Sequence, residues 1–260
     1  MRFKSLMFVP AVEKKLKKIP DLQADAFIID LEDSINNNDK ENALLRTIDF
    51  LTTVQNKKNI FVRINVENIE EELRALGIFK DLGFMIPKVK NTELLERYYN
   101  VLKERKVIAL IENPQAIVNI KEIAGNKVID ALAFGAEDYT ASMNMENMEN
   151  NLIYPRSVMC VYAKAYGKRV YDTPSFRIND EAAFKREVDI AVNMGFDGKM
   201  LIHPRHIEYI NEAFSNVDLE LMKKIVDKYD KCNEAVMMFN GNVYEKMHIN
   251  RMKKILKENK

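Results

Sequence analysis

The sequence predicts an α/β fold, a (β/α)8 or TIM barrel with extra C-terminal helices, and three observations carry that prediction. Eight short apolar runs recur along the chain: SLMFVP, DAFIIDLED, NIFVRIN, GFMIPK, VIALIE, ALAFGAED, RVYDT and GKMLIHP. They begin at Ser5, Asp25, Asn59, Gly83, Val107, Ala131, Arg169 and Gly198, about 20 to 38 positions apart, which leaves room for a strand, a helix and two turns. Most of them also end in a residue able to do chemistry, and barrel strands converge at their C-terminal ends on the face that carries active sites. Asp30, Glu32, Asp33, Arg63, Asn65, Lys88, Glu112, Asp138, Asp172 and His203 are therefore expected on one rim.

The N-terminal MRFKSLMFVP is basic and then apolar, but its apolar run is too short for a signal segment and reaches a proline at once, so it reads as the first strand. The second run closes on an acidic cluster, and strand alternation sends Asp30 and Glu32 to one side and Leu31 to the other. These acids could orient metal-bound water or cap the next helix. Residues 39–54 place Ala43, Leu44, Ile48, Leu51 and Val54 on one helical face, with Asp39 as the cap. The third run ends at Arg63 with Asn65 facing the same way, a pair suited to gripping a carboxylate or polarising a carbonyl; the plainer reading of Arg63 is a salt bridge.

Lys88 closes the fourth run, and NTELLERYYNVLKER after it starts a helix behind Asn91 and Thr92. Glu112 and Asp138 close the fifth and sixth runs, so their carboxylates can converge from adjacent strands. Two carboxylates, with waters and substrate oxygens completing an octahedron, are what Mg2+ usually takes, with Mn2+ a second candidate. The competing reading makes them rim acids paired with Arg63 or Lys88. Residues 144–151 (NMENMENN) predict a mobile loop able to act as a lid. Asp172 closes the seventh run, and the next helix runs from Asp180 to Gly195. His203 precedes a proline at the eighth strand's end, with either a chemical role or a loop hydrogen bond. The charged stretch from Asp218 onward reads as two or three helices, giving a barrel domain over 1–215 and a helical extension over 216–260.

Bulk properties suit a small-molecule enzyme. A length of 260 residues fits one barrel, and 47% hydrophobic content is enough for a large core. Forty basic residues against 39 acidic ones leave a net charge of +1, with no broad electrostatic case for nucleic acid or a membrane as partner. Cys160 and Cys232 lack CxxC spacing, which points to free thiols in a reducing, cytoplasmic setting. No stretch approaches the roughly 18 to 20 apolar residues of a membrane span. There is no GxGxxG or Walker-type loop, so a CoA or acyl-carrier arm would rely on dispersed contacts, with Lys88, Arg156, Lys199 and His203 as candidates.

In order, SLMFVPA, DAFIIDLEDSI, FVRIN, IPKV, LIENPQAI, ALAFGAEDYTASM and GFDGKMLIHPRHIEYINEAF resemble the citrate lyase beta subunit family of the HpcH/HpaI aldolase superfamily, over nearly the whole chain. The resemblance implies a Mg2+-dependent lyase that cleaves or forms a carbon–carbon bond in an acyl thioester, citryl- or malyl-CoA-like. It further implies Glu112 and Asp138 as metal ligands, Arg63 as the substrate-contacting arginine, and Glu32 and Asp33 as acids near the metal. Glu245 stands where the family's CoA-thioester enzymes carry an aspartate that can reach a neighbouring subunit; base, trimer contact and surface acid are the open roles. A homo-oligomer, trimeric or higher, follows from the same likeness. The chain departs from the pattern at Lys4 (arginine in many relatives), Asn113 (threonine) and Met247 (proline). Alternatives are a metal-dependent aldolase on free keto acids, a thioesterase-like hydrolase, and a non-catalytic barrel subunit. Retention of Glu112, Asp138 and Arg63 together argues against the last.

Overall fold

The eight apolar runs are the eight strands of a closed parallel barrel: β1 (Ser5–Pro10), β2 (Ala26–Asp30), β3 (Asn59–Arg63), β4 (Gly83–Ile86), β5 (Val107–Ile111), β6 (Ala131–Phe134), β7 (Arg169–Asp172) and β8 (Gly198–Leu201). The structure, a computed structural model, describes residues 3–54, 59–215, 219–232 and 234–258. Each strand pairs with the next, and β8 returns to β1 with Ser5 opposite Lys199, so the sheet has no free edge. At this seam a Cβ on Gly198 would lie 2.4 Å from the Phe3 carbonyl oxygen and 2.5 Å from that of Lys4, so the close approach of β8 requires glycine.

Two-residue alternation sorts the core into two layers. Leu6, Ala26, Ile28, Phe61, Met85, Ile108, Leu110, Ala131, Ala133, Tyr171 and Met200 fill the barrel interior. Their neighbours Phe27, Ile29, Val62, Phe84, Ile86, Ala109, Leu132 and Val170 face the surrounding helices.

Those helices are α1 (Glu13–Leu16), α2 (Lys40–Thr53), α3 (Ile69–Leu76), α4 (Glu93–Arg97), α5 (Tyr99–Leu102), α6 (Pro114–Val118), α7 (Ile120–Gly125), α8 (Ala136–Met143), α9 (Glu149–Ala165), α10 (Glu181–Met194) and α11 (Ile207–Ala213). The ends of α10 follow the sequence: Asp180 accepts a hydrogen bond from the Ala183 N–H at 2.9 Å, and Gly195 closes the helix at φ 90°. Elsewhere the sequence reading needs correction. Asp39 precedes α2 without a capping bond, because its carboxylate binds Arg46 at 2.6 Å. The segment after β4 breaks into α4 and α5 at Tyr98. The expected loop over 144–151 is shorter, since α9 starts at Glu149.

Contacts divide the chain into two compact units, Met1–Phe214 and Ser215–Lys260. The second is not purely helical: α12 (Leu219–Asp230) and α13 (Lys246–Glu258) flank an antiparallel hairpin of β9 (Val236–Phe239) and β10 (Asn242–Glu245). Asn240 and Gly241 turn it, with φ of 48° and 78°, the left-handed pair that a tight hairpin needs. Ile225, Val226, Met237 and Ile249 form its core. No helix among the described residues is long and apolar enough to cross a membrane.

Candidate active site

Strand parity decides which chemistry-bearing residues reach the barrel mouth. Ile28 and Phe61 point inward, so Asp30 and Arg63, two positions on, do as well; the β2–β3 register then sets them side by side. Arg63 donates from Nε to Asp30 Oδ1 at 2.7 Å and from Nη2 to Oδ2 at 2.8 Å, a bidentate fork. Its Nη1 reaches Asp33 Oδ2 at 2.8 Å and Glu32 Oε2 at 3.2 Å. Arg63 holds the Asp30 carboxyl below its ordinary range against the upward push of burial. Glu32 lies in the bend after β2, so strand alternation does not govern it. Burial raises its pKa, with Lys88 Nζ 2.9 Å from Oε1 opposing the rise. Both Glu32 oxygens are buried and each is held by a cation, Oε1 by Lys88 Nζ and Oε2 by Arg63 Nη1.

Ile108 and Leu110 likewise point inward, which brings Glu112 to the same mouth. Its Oε1 accepts the Lys88 backbone N–H at 2.6 Å, a bond for which Lys88 adopts a left-handed φ of 54°. Burial first, then the negative charges of Glu32 and Asp138, push the Glu112 pKa up to about 8. Asp138 does not close a strand. β6 ends at Phe134, and Asp138 is an exposed residue in the first turn of α8, its pKa raised by burial of its carboxyl and by Asp33. Between them stands Gly135, where a Cβ would lie 2.7 Å from Glu112 Cβ and 2.9 Å from Oε2. A side chain there would occupy the space in front of the Glu112 carboxylate.

Asp30, Asp33, Arg63, Glu112 and Asp138 line one cavity of about 490 Å³, with Phe8, Pro10, Leu110, Met200 and Ile202 as its apolar wall. Six carboxylates, those of Asp30, Asp33, Glu112, Glu137 and Asp138 on the cavity wall and that of Glu32 behind it, meet two cations, Arg63 on the wall and Lys88 beside Glu32. The excess of carboxylates over cations and the space beside Glu112 fit a divalent cation. No group of three or more His, Cys, Asp or Glu side chains suited to a metal occurs among the described residues. Glu112 and Asp138 supply two, a number that suits Mg2+, which keeps waters and substrate oxygens in its remaining positions.

Other residues singled out from the sequence lie elsewhere. Asn65 is buried, its side-chain oxygen accepting the Glu67 N–H at 3.1 Å. His203 Nδ1 accepts from the Arg205 N–H at 3.2 Å and caps a short 3-10 turn. Tyr171 and Met200 point inward, so Asp172 and Lys199 point outward to the helices. There Lys199 Nζ binds Asp172 Oδ2 at 2.6 Å, and Arg156 of α9 grips the same carboxylate through Nε and Nη2, both at 3.0 Å. Asp172 thus does not share the Glu112 cavity. Glu245 ends β10 in the second unit, exposed, its backbone N–H bound to His248 Nδ1 at 3.1 Å.

The sequence reading missed three contributors. Thr173 lines the cavity and accepts the Ala136 N–H at 3.2 Å; it follows inward Tyr171 by two, so parity could have found it. Lys40 Nζ donates to the carbonyls of Leu31 and Glu32 and braces the acidic bend. Glu72, buried, accepts the Asn65 N–H at 2.7 Å, a contact with no signal in the sequence.

A family model described as HpcH/HpaI aldolase/citrate lyase matches residues 4–204. A (3S)-malyl-CoA thioesterase of Cereibacter sphaeroides is 29% identical over 261 residues, covering 95% of this chain and 91% of its own. The mitochondrial citramalyl-CoA lyase of Homo sapiens is 31% identical over 240 residues, covering 82% and 71%. Among solved structures, a citrate lyase beta subunit from M. tuberculosis complexed with oxaloacetate and magnesium superposes with a TM-score of 0.72 at 25% identity, over 82% of this chain and 97% of that one.

Proposed function

The chain belongs to the HpcH/HpaI aldolase/citrate lyase family, and from that premise we propose that it is a Mg2+-dependent carbon–carbon lyase. It cleaves a 3-hydroxy acyl thioester, citryl- or malyl-CoA-like, to a keto acid and an acetyl-type thioester. The observation that carries this reading is the cavity that joins Glu112, Asp138 and the Arg63 guanidinium, where carboxylates outnumber cations.

Glu112 and Asp138 would hold the metal. When bound, Mg2+ supplies Lewis-acid stabilisation of negative charge on the substrate's oxygens. In the cleavage direction the hydroxyl loses its proton, the carbon–carbon bond breaks, and the hydroxyl oxygen becomes the keto oxygen. The electron pair of the broken bond stays on the thioester fragment as an enolate, which takes up a proton. Arg63, fixed by Asp30, sets a positive charge on the cavity wall for the oxygen that first loses its proton, worth a few kcal/mol. Asp33 lines the same cavity and commits Oδ2 to Arg63, which leaves Oδ1 to receive the hydroxyl proton. Glu32 works behind it, anchoring Arg63 and Lys88. Glu245 is the second acid–base candidate: Glu245→Gln abolishes turnover with Mg2+ binding intact if it holds that role, and leaves turnover unchanged if it does not.

For a CoA or acyl-carrier arm the candidates left at the strand ends are Lys88 and His203, Mn2+ is the second candidate metal, and the proposed assembly is a cytoplasmic homo-oligomer, trimeric or higher. The second reading is hydrolysis of the thioester, favoured by the name of the Cereibacter relative. A panel of 3-hydroxy acyl thioesters, assayed with Mg2+ and with EDTA, separates the two. Metal-dependent release of keto acid together with an acetyl-type thioester supports the lyase; release of free CoA with an intact hydroxy acid replaces it with the hydrolase.

A further inference from the structure

A second cavity of about 470 Å³ lies on the outer side of β7 and β8, where α9 and α10 cover the strands, and shares Glu137, Thr173, Pro174 and Phe176 with the first. Its floor holds Arg156, Asp172 and Lys199, 5%, 0% and 1% exposed. One carboxylate there faces two cations. Asp172 engages Arg156 through Nε and Nη2 and takes one bond from the Lys199 ammonium, leaving Nη1 and two ammonium protons uncommitted by it. Charges buried without full compensation are costly, and strand-wall positions facing helices are ordinarily apolar.

We propose that this cavity is a binding subsite for a carboxylate monoanion, with Arg156 and Lys199 as its donors. The floor carries one surplus positive charge, which a carboxylate matches. Toward the mouth four acids, Glu137, Glu149, Asp180 and Glu187, outnumber two arginines, Arg177 and Arg186, of which Arg177 pairs with Glu187 at 3.4 Å, so the rim adds no positive charge to hold a dianion such as phosphate. The inference goes beyond the lyase reading and does not rest on it, since it concerns binding in the absence of metal.

The test is calorimetric titration of acetate into the metal-free full-length protein, wild type, Lys199→Gln and Asp172→Asn. Loss of fold would shift both variants the same way, whereas the subsite requires opposite shifts. Lys199→Gln weakens acetate at least tenfold, and Asp172→Asn, which removes the resident carboxylate and frees the Arg156 fork, tightens it. Arg63→Gln leaves acetate affinity unchanged, which separates this cavity from the first. A repeat with Mg2+ and oxaloacetate identifies the source. Competition assigns the subsite to a carboxylate of the substrate, simultaneous binding assigns it to a separate small carboxylate, and both sustain it. No acetate binding, parallel shifts in the two variants, or tighter binding of phosphate than of acetate overturns it.

Discussion

At the scale of single residues, the candidate site depends on what is missing at position 135 as much as on the acids around it. Gly135→Ala would set a methyl 2.7 Å from Glu112 Cβ and 2.9 Å from Oε2, so Glu112 must shift and its carboxylate turn away. The expected outcome is a folded protein whose Mg2+ affinity falls by about 10- to 100-fold, measured by titration; wild-type affinity would show that Glu112 is not held there for metal. Glu112 and Arg63 were legible from the sequence because each closes an apolar run at an inward position. The same parity, applied to Tyr171 and Met200, would have turned Asp172 and Lys199 away from the mouth. Asp138 was legible as a partner but not as a helix residue, since nothing local marks Phe134 as the end of β6. Glu72 was not legible at all: its bond to the Asn65 N–H depends on how α3 packs.

Among the elements, strands were easier to read than helices because eight buried runs have one period and one environment. Helix boundaries rest on capping chemistry that competing bonds can override, as Arg46 does at Asp39. The hairpin in the second unit was missed although Asn240-Gly241 is a strong turn signal, because the charged stretch around it has helical spacing on both sides. Asn113 illustrates how a departure from the family pattern is accommodated. It caps α6 by accepting the Ala116 N–H at 2.9 Å, and its Nδ2 donates to the Val89 carbonyl at 3.1 Å, tying the loop after β4 to the start of α6. Asn113→Ala is expected to lower stability by about 1 to 2 kcal/mol in urea unfolding, and Asn113→Thr by less, because a hydroxyl can replace the cap but not the amide bond. Equal losses in the two variants would mean that the cap contributes nothing.

For the whole molecule, two buried acids set an unusual dependence of stability on pH. Burial lifts Glu112 and Glu72 from the ordinary value of 4.5 to about 8. Between those values the native state binds protons that the unfolded chain has released. Stability from both groups is therefore complete below about pH 4.5 and is lost as the pH rises through about 8. Unfolding free energy of the metal-free protein should fall from pH 5 to pH 8 by a few kcal/mol. Saturating Mg2+ removes the Glu112 part by occupying its carboxylate, and Glu72→Gln removes the other; a flat profile without metal would contradict both shifts. The central claim is that Glu112 and Asp138 bind one divalent cation at the barrel mouth, and calorimetric titration of Mg2+ into wild type, Glu112→Gln and Asp138→Asn tests it most directly. One site per chain in the wild type, with affinity at least 100-fold weaker in each variant, is the predicted result; wild-type affinity in either variant would contradict it.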